Sequence, residues 1–126
     1  MADAARPVIL IVDDALFVLK RINELISEMA DVDVIHAASG RDEAMSLIRT
    51  NLPDIIILEM NFGGSHGREI IQFVKSEYPH IKVIIASNKA TADYRQRSFD
   101  IGADGFFDKS TEFEKIPELI RSFSRK

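Results

Sequence analysis

The sequence predicts an α/β fold, a doubly wound parallel sheet of five strands covered by five helices. Three observations predict it. Short apolar runs alternate five times with longer segments whose apolar residues recur every three and four positions, the helical period. The runs are continuous, as in VILIV at 8–12 and IIIL at 55–58. Such strands are buried on both faces, which implies parallel pairing beneath helices. The connections are short, and no repeat, low-complexity tract or linker interrupts the 126 residues. That length suits one domain with one real core.

Each element follows from its residues. VILIV, bounded by Pro7 and Asp13, is the first strand. Leu16, Leu19, Ile22, Leu25, Ile26 and Met29 form the inner stripe of the first helix. DVIH at 33–36 is the second strand, and a helix over roughly 40–50 turns Ala44, Leu47 and Ile48 inward before Pro53 ends it. DIIILEM at 54–60 is the third strand. Gly67 opens a helix carrying Ile70, Ile71 and Val74, which stops near Pro79. KVIIAS at 82–87 is the fourth strand, and a weaker helical pattern from 90 ends at Gly102. GFF at 105–107 is the fifth strand. The last helix carries Phe113, Ile116, Leu119, Ile120 and Phe123; Pro117 must lie in its first turn, so it begins near 112–113. The chain ends with this helix, which predicts a single domain over 1–126 with no output domain attached.

Composition narrows the function. Hydrophobic residues are 46% and charged residues 29%, an ordinary globular balance. The absence of cysteine removes disulfides, thiolate nucleophiles and Cys-type zinc sites, and fits a reducing, cytoplasmic setting. The N-terminal apolar run is too short for a signal peptide or a membrane span. A net charge of −4 disfavours direct nucleic-acid binding by the body of the domain.

The chemistry sits at the strand ends. In an open parallel sheet, ligands bind beyond the carboxyl ends of the strands. The first strand ends in Asp13 and Asp14, the third in Glu59, the fourth in Ser87 and the fifth in Asp108 and Lys109. For Asp14 alone, capping the next helix explains the residue as well as chemistry does. Together, clustered carboxylates and a backbone carbonyl suit Mg²⁺, while a hydroxyl and an ammonium suit the oxygens of a phosphoryl group.

Four motifs at their spacing make the chain resemble the receiver domain of two-component response regulators, over essentially its whole length. They are IVDD at 11–14, the strand-end acid at 59 with Gly67 eight residues on, Ser87 after a β-run, and GADGFFDKS at 102–110. The resemblance implies a flavodoxin-like sheet of order 2-1-3-4-5. It implies metal ligands at Asp13, Asp14 and the Asn61 carbonyl, a phosphoacceptor position at Glu59, and switch residues Ser87, Phe106 and Lys109. It also implies a partner surface on the fourth helix and fifth strand, at Tyr94, Arg95 and Phe106; a solvated helix face explains Tyr94 and Arg95 equally well.

Several residues depart from the family pattern. The acceptor is usually aspartate, and glutamate moves the carboxylate out by roughly one C–C bond, ~1.5 Å. Displacement on this scale is costly for in-line attack. Three readings stay open: Glu59 imitates the phosphorylated state, it abolishes phosphotransfer without imitation, or some phosphorylation persists. Asn88 stands where Ala or Gly usually leaves a gap for the donor. Ser110 replaces a proline that usually follows the lysine in a cis bond; a non-proline peptide there is expected to be trans, which could displace Lys109. Gly63 and Gly64 are expected to loosen the loop after the acid. Crowded acids should bind Mg²⁺ weakly, more weakly still if Glu59 turns toward Lys109. His66 is the least improbable metal ligand among His36, His66 and His80.

The reading is therefore an atypical receiver that acts as a protein-interaction module toward a kinase, another regulator or an effector, with no membrane contact. The rival is an enzyme, a small Mg-dependent flavodoxin-like phosphohydrolase or phosphotransferase using Asp13 or Asp14 as nucleophile. That rival needs a free acid and a pocket that excludes water.

Overall fold

Five strands form one parallel sheet in the order β2-β1-β3-β4-β5, the predicted arrangement. A computed structural model describes residues 7–29, 32–37, 40–61 and 66–124. The strands are β1 (Val8–Val12), β2 (Asp33–Ala37), β3 (Ile55–Glu59), β4 (Lys82–Ser87) and β5 (Gly105–Asp108). The helices are α1 (Leu16–Ser27), α2 (Arg41–Asn51), α3 (His66–Glu77), α4 (Ala92–Asp100) and α5 (Ile116–Ser124). The central strand β3 is buried along its whole length, as its unalternating isoleucines require.

Strand pleating divides the core into two layers, because successive side chains point to opposite faces. Leu10, Val12, Ile56, Leu58, Val83, Ile85 and Phe106 pack with α2 and α3. Ile9, Ile11, Ile55, Ile57, Ile84 and Phe107 pack with α1 and α5. Each fully buried aliphatic side chain contributes about 1.5–3 kcal/mol, so the two layers carry most of the stabilisation.

Four local expectations needed correction. Leu16 is 79% exposed and lies outside the core; Val18, which the three-four spacing missed, is buried instead. Met29 lies beyond the end of α1 yet still packs on the core. The final helix opens with a 3₁₀ turn, Phe113–Lys115, and α5 proper begins at Ile116, placing Pro117 in its first turn. Proline is tolerated there because its missing N–H has no helical partner to lose. Gly67 has a different role from simply opening α3. A Cβ at that position would collide with the Met60 backbone, so glycine lets α3 start directly against the end of β3.

Candidate functional site

The pleat assembles the site. Ile9 and Ile11 point to the α1/α5 face, and continuing their period of two brings Asp13 to that side. Ile55 and Ile57 do the same for Glu59, and Phe107 for Lys109. Ser87 follows Val83 and Ile85, the opposite parity. The structure obeys this rule. Lys109 Nζ bonds Asp13 Oδ2 at 2.9 Å and also Glu59 Oε1, so one ammonium bridges two carboxylates. The other oxygens are also engaged: Asp13 Oδ1 accepts the Ala15 N–H at 2.8 Å, and Glu59 Oε2 accepts the Asn61 N–H at 2.9 Å.

This cluster is nearly dry. The side chains of Lys109, Asp13 and Glu59 are 6%, 3% and 11% exposed, so their mutual attraction is little screened. Burial by itself would lower the Lys109 pKa. The hydrogen bonds and charges of Glu59 and Asp13 outweigh it and hold the ammonium above its ordinary value. Two carboxylates face one cation, which leaves the group with an excess negative charge.

Ser87 stands beside the pair without joining it. The residue is 1% exposed, and its hydroxyl accepts the Lys89 N–H at 3.0 Å. No described residue accepts the hydroxyl proton. Glu59 therefore reaches Lys109, while among the described contacts it does not reach Ser87. A cavity of about 300 Å³ lies over these residues and is bordered by Asp14, Asn61 and Asn88 as well. Asp14 is exposed, and α1 has no side-chain cap, so capping does not account for it.

The two atypical loop residues meet: Ser110 Oγ donates to Asn88 Oδ1 at 3.4 Å. The Lys109–Ser110 peptide is trans, with no cis bond among the described residues. Lys109 reaches both acids across this trans bond. Gly63 and Gly64 lie outside the described residues, as does the His36 side chain. His66 pairs with Glu69 at 2.9 Å and is spent there, and His80 is exposed on a turn.

Magnesium fits this arrangement poorly. The place between Asp13 and Glu59 is held by the lysine, and the described residues contain no group of three acidic or histidine side chains disposed to hold a metal. Asp13 and Glu59 converge on Lys109, and Asp14 borders the same cavity.

Of the expected partner surface, Phe106 is packed away while Tyr94 and Arg95 stay half-buried. Phe106 is only 6% exposed and turned inward, with Tyr94 edge-on at 6.2 Å and the Arg95 guanidinium 4.7 Å from its ring centre. Arg95 is then fastened to Glu112 at 2.9 Å. Glu112 was missed by sequence reasoning. It accepts from Lys115 and from the Asp108 N–H as well as Arg95, and these hold its carboxyl down at about 2. No local pattern marks it, because Arg95 is distant in sequence.

Residues 9–121 match the family described as the response regulator receiver domain. The response regulator protein VraR of Staphylococcus saprophyticus is 28% identical over 113 residues, which is 90% of this chain and 54% of that protein. The fimbriae Z protein of Salmonella typhimurium is 25% identical over 113 residues with the same coverage of both chains, 90% and 54%. The chain thus spans about half the length of the curated relatives it matches. A two-component response regulator of the LuxR family from Aurantimonas sp. superposes with a TM-score of 0.85 at 22% identity, covering 95% of this chain and 86% of that one. A response regulator from Thermotoga maritima gives 0.83 at 20% identity, covering 95% and 98%. At such identities the superpositions speak to the fold alone.

Proposed function

The chain belongs to the response regulator receiver domain family, and from that premise we propose a receiver that signals through protein contacts without the usual aspartyl phosphate. The observation that carries the reading is the bond of Glu59 to Lys109. In the family pattern the lysine reads a phosphoryl oxygen on the acceptor. Here the longer carboxylate of Glu59 reaches the lysine by itself. The Ser87 hydroxyl, the other phosphoryl reader, has no such contact among the described residues. Glu59 therefore imitates one arm of the phosphorylated state and leaves the second unengaged. The inward Phe106, held by Tyr94 and by the Arg95–Glu112 pair, supports a switch resting in one position.

Its partner would be a histidine kinase, another regulator or an effector in a two-component pathway. No helix among the described residues is long and apolar enough to cross a membrane, and a cytoplasmic setting accords with the cysteine-free sequence. Mg²⁺ is expected to bind weakly, since the Lys109 ammonium already neutralises much of the acidic charge. A magnesium dissociation constant well below the millimolar range would count against this arrangement. The phosphohydrolase reading finds no support: Asp13 is committed through both oxygens, and Asp14 stands exposed at the rim of an open cavity.

The test is intact mass after incubation with a small acyl phosphate in magnesium buffer. The wild-type chain should gain nothing. Glu59→Asp should gain one phosphoryl group, its carboxylate oxygen bonding to phosphorus as the acyl carboxylate leaves. Adding Asn88→Ala should raise the rate, and the two changes should couple because both act around one reacting atom. Stoichiometric phosphorylation of the wild type would sink the proposal. An inert double variant would show that Glu59 is not the decisive change.

A further inference from the structure

A groove lies beside the switch cavity, between the start of α3 and α4. Its volume is about 580 Å³, roughly twice that of the switch cavity at about 300 Å³. That size is ordinary for small-molecule sites, which combine an apolar lining with a few placed polar groups. Met60, Tyr94 and Ile101 supply apolar surface, and all three pack on the core and are held from beneath.

The charges around it are unequal. Arg41, Arg68 and Arg97 border the groove against a single acid, Glu69. Glu69 is already shared. Arg41 Nη1 reaches both its oxygens at 3.1 Å, and His66 contacts it at 2.9 Å. Arg97 has an acidic partner in Asp93, on the exposed face of α4. Arg68 is exposed, and no described residue pairs with it. On a chain of net charge −4, this concentration of arginine is local. It cannot follow from overall basicity.

We propose that this groove binds a small amphipathic anion, an aromatic or similarly flat apolar body lying on Met60 and Tyr94 with a carboxylate or phosphate held by Arg68 and Arg97. Arginine suits either head group, because its planar fork pairs with both. The site stands apart from the question of how Glu59 acts, since its charged residues take no part in the Lys109 cluster. It is still well placed to influence that cluster. Met60 and Asn61 directly follow Glu59, Asn61 borders both cavities, and the Asn61 N–H holds the Glu59 carboxylate. A ligand seated there would touch the segment that positions the acid.

The test uses 2-naphthoate, 2-naphthyl phosphate and the uncharged 2-naphthamide, each titrated into the isotope-labelled chain and followed by amide chemical shifts. Both anions should move the signals of Met60, Asn61, Arg68 and Ile101, and whichever binds tighter names the head group. The amide should bind roughly tenfold or more weakly, since it loses a charge-assisted pair. The double variant Arg68→Gln/Arg97→Gln should weaken anion binding about fivefold or more; both side chains are exposed, so the fold is retained. The proposal is overturned if the anions shift nothing at millimolar concentration, or if the amide binds as well as the acids. It is also overturned if the double variant binds undiminished, or if the shifts gather instead on the exposed Leu16 and Phe17.

Discussion

Two lysine–aspartate pairs stand at opposite ends of the same sheet. At the amino ends of β4 and β5, Lys75 bonds Asp104 at 2.7 Å, and both side chains are 23% exposed. Asp104 Oδ2 also accepts the Val83 N–H, and Lys75 also donates to the Ile81 carbonyl. One acid meets one base, and both are tied to backbone. At the carboxyl ends, Lys109 meets two acids in nearly dry surroundings, and the Ser87 hydroxyl keeps a proton that no described residue accepts. The first pair is balanced and closes the fold. The second carries excess negative charge and a hydroxyl donor that no described residue uses.

Removing the cation at the unbalanced end should have the largest effect. Lys109→Ala leaves Asp13 and Glu59 buried without a cation, and the expected loss is about 3–5 kcal/mol in urea unfolding. A loss below about 1 kcal/mol would show that water enters freely and that the site is not dry. At the balanced end, Asp104→Ala strands the Lys75 ammonium and the Val83 N–H. With both side chains partly exposed, the expected cost is about 2 kcal/mol. A cost equal to that of Lys109→Ala would remove the distinction between the two ends.

Acid should act on the Arg95 fastening next. Glu112 has a folded-state pKa of about 2 against an ordinary value of 4.5. Between those values the unfolded chain binds more protons than the folded one. The contribution is therefore complete above about pH 5 and is lost as pH falls toward 2. Allowing for solvent around Lys115, it is on the order of 1–2 kcal/mol. The Glu112→Gln variant should lose stability less steeply over that window. Parallel acid curves for the variant and wild type would exclude Glu112 as the group responsible.

The smallest effect should come from Glu59→Gln. It removes the excess acid while Asp13 still neutralises Lys109, so stability should change by less than about 1 kcal/mol in either direction. If it costs as much as Asp104→Ala, both acids are structurally required and the two ends are alike after all.

How much of this was legible beforehand depended on the range of each interaction. Apolar period and run length are local properties, so the five strands, the five helices and the strand-end residues Asp13, Glu59, Ser87 and Lys109 could be read directly from the chain. Even the meeting of Asp13, Glu59 and Lys109 was latent there, since each is an even number of residues beyond an inward-facing Ile or Phe of its own strand. The sequence alone thus determined the fold and the family. Tertiary structure decided which charge meets which. It set Lys109 between two acids that linear order suggested would crowd around a metal. It buried Phe106 beneath Tyr94 and Arg95, enlisted Glu112 from across a turn, and gathered Arg41, Arg68 and Arg97 from three helices around one groove. The reason is physical: electrostatic and hydrogen-bond partners are selected by distances of about 3 Å between atoms whose residues are far apart in sequence, and no local periodicity encodes such a distance.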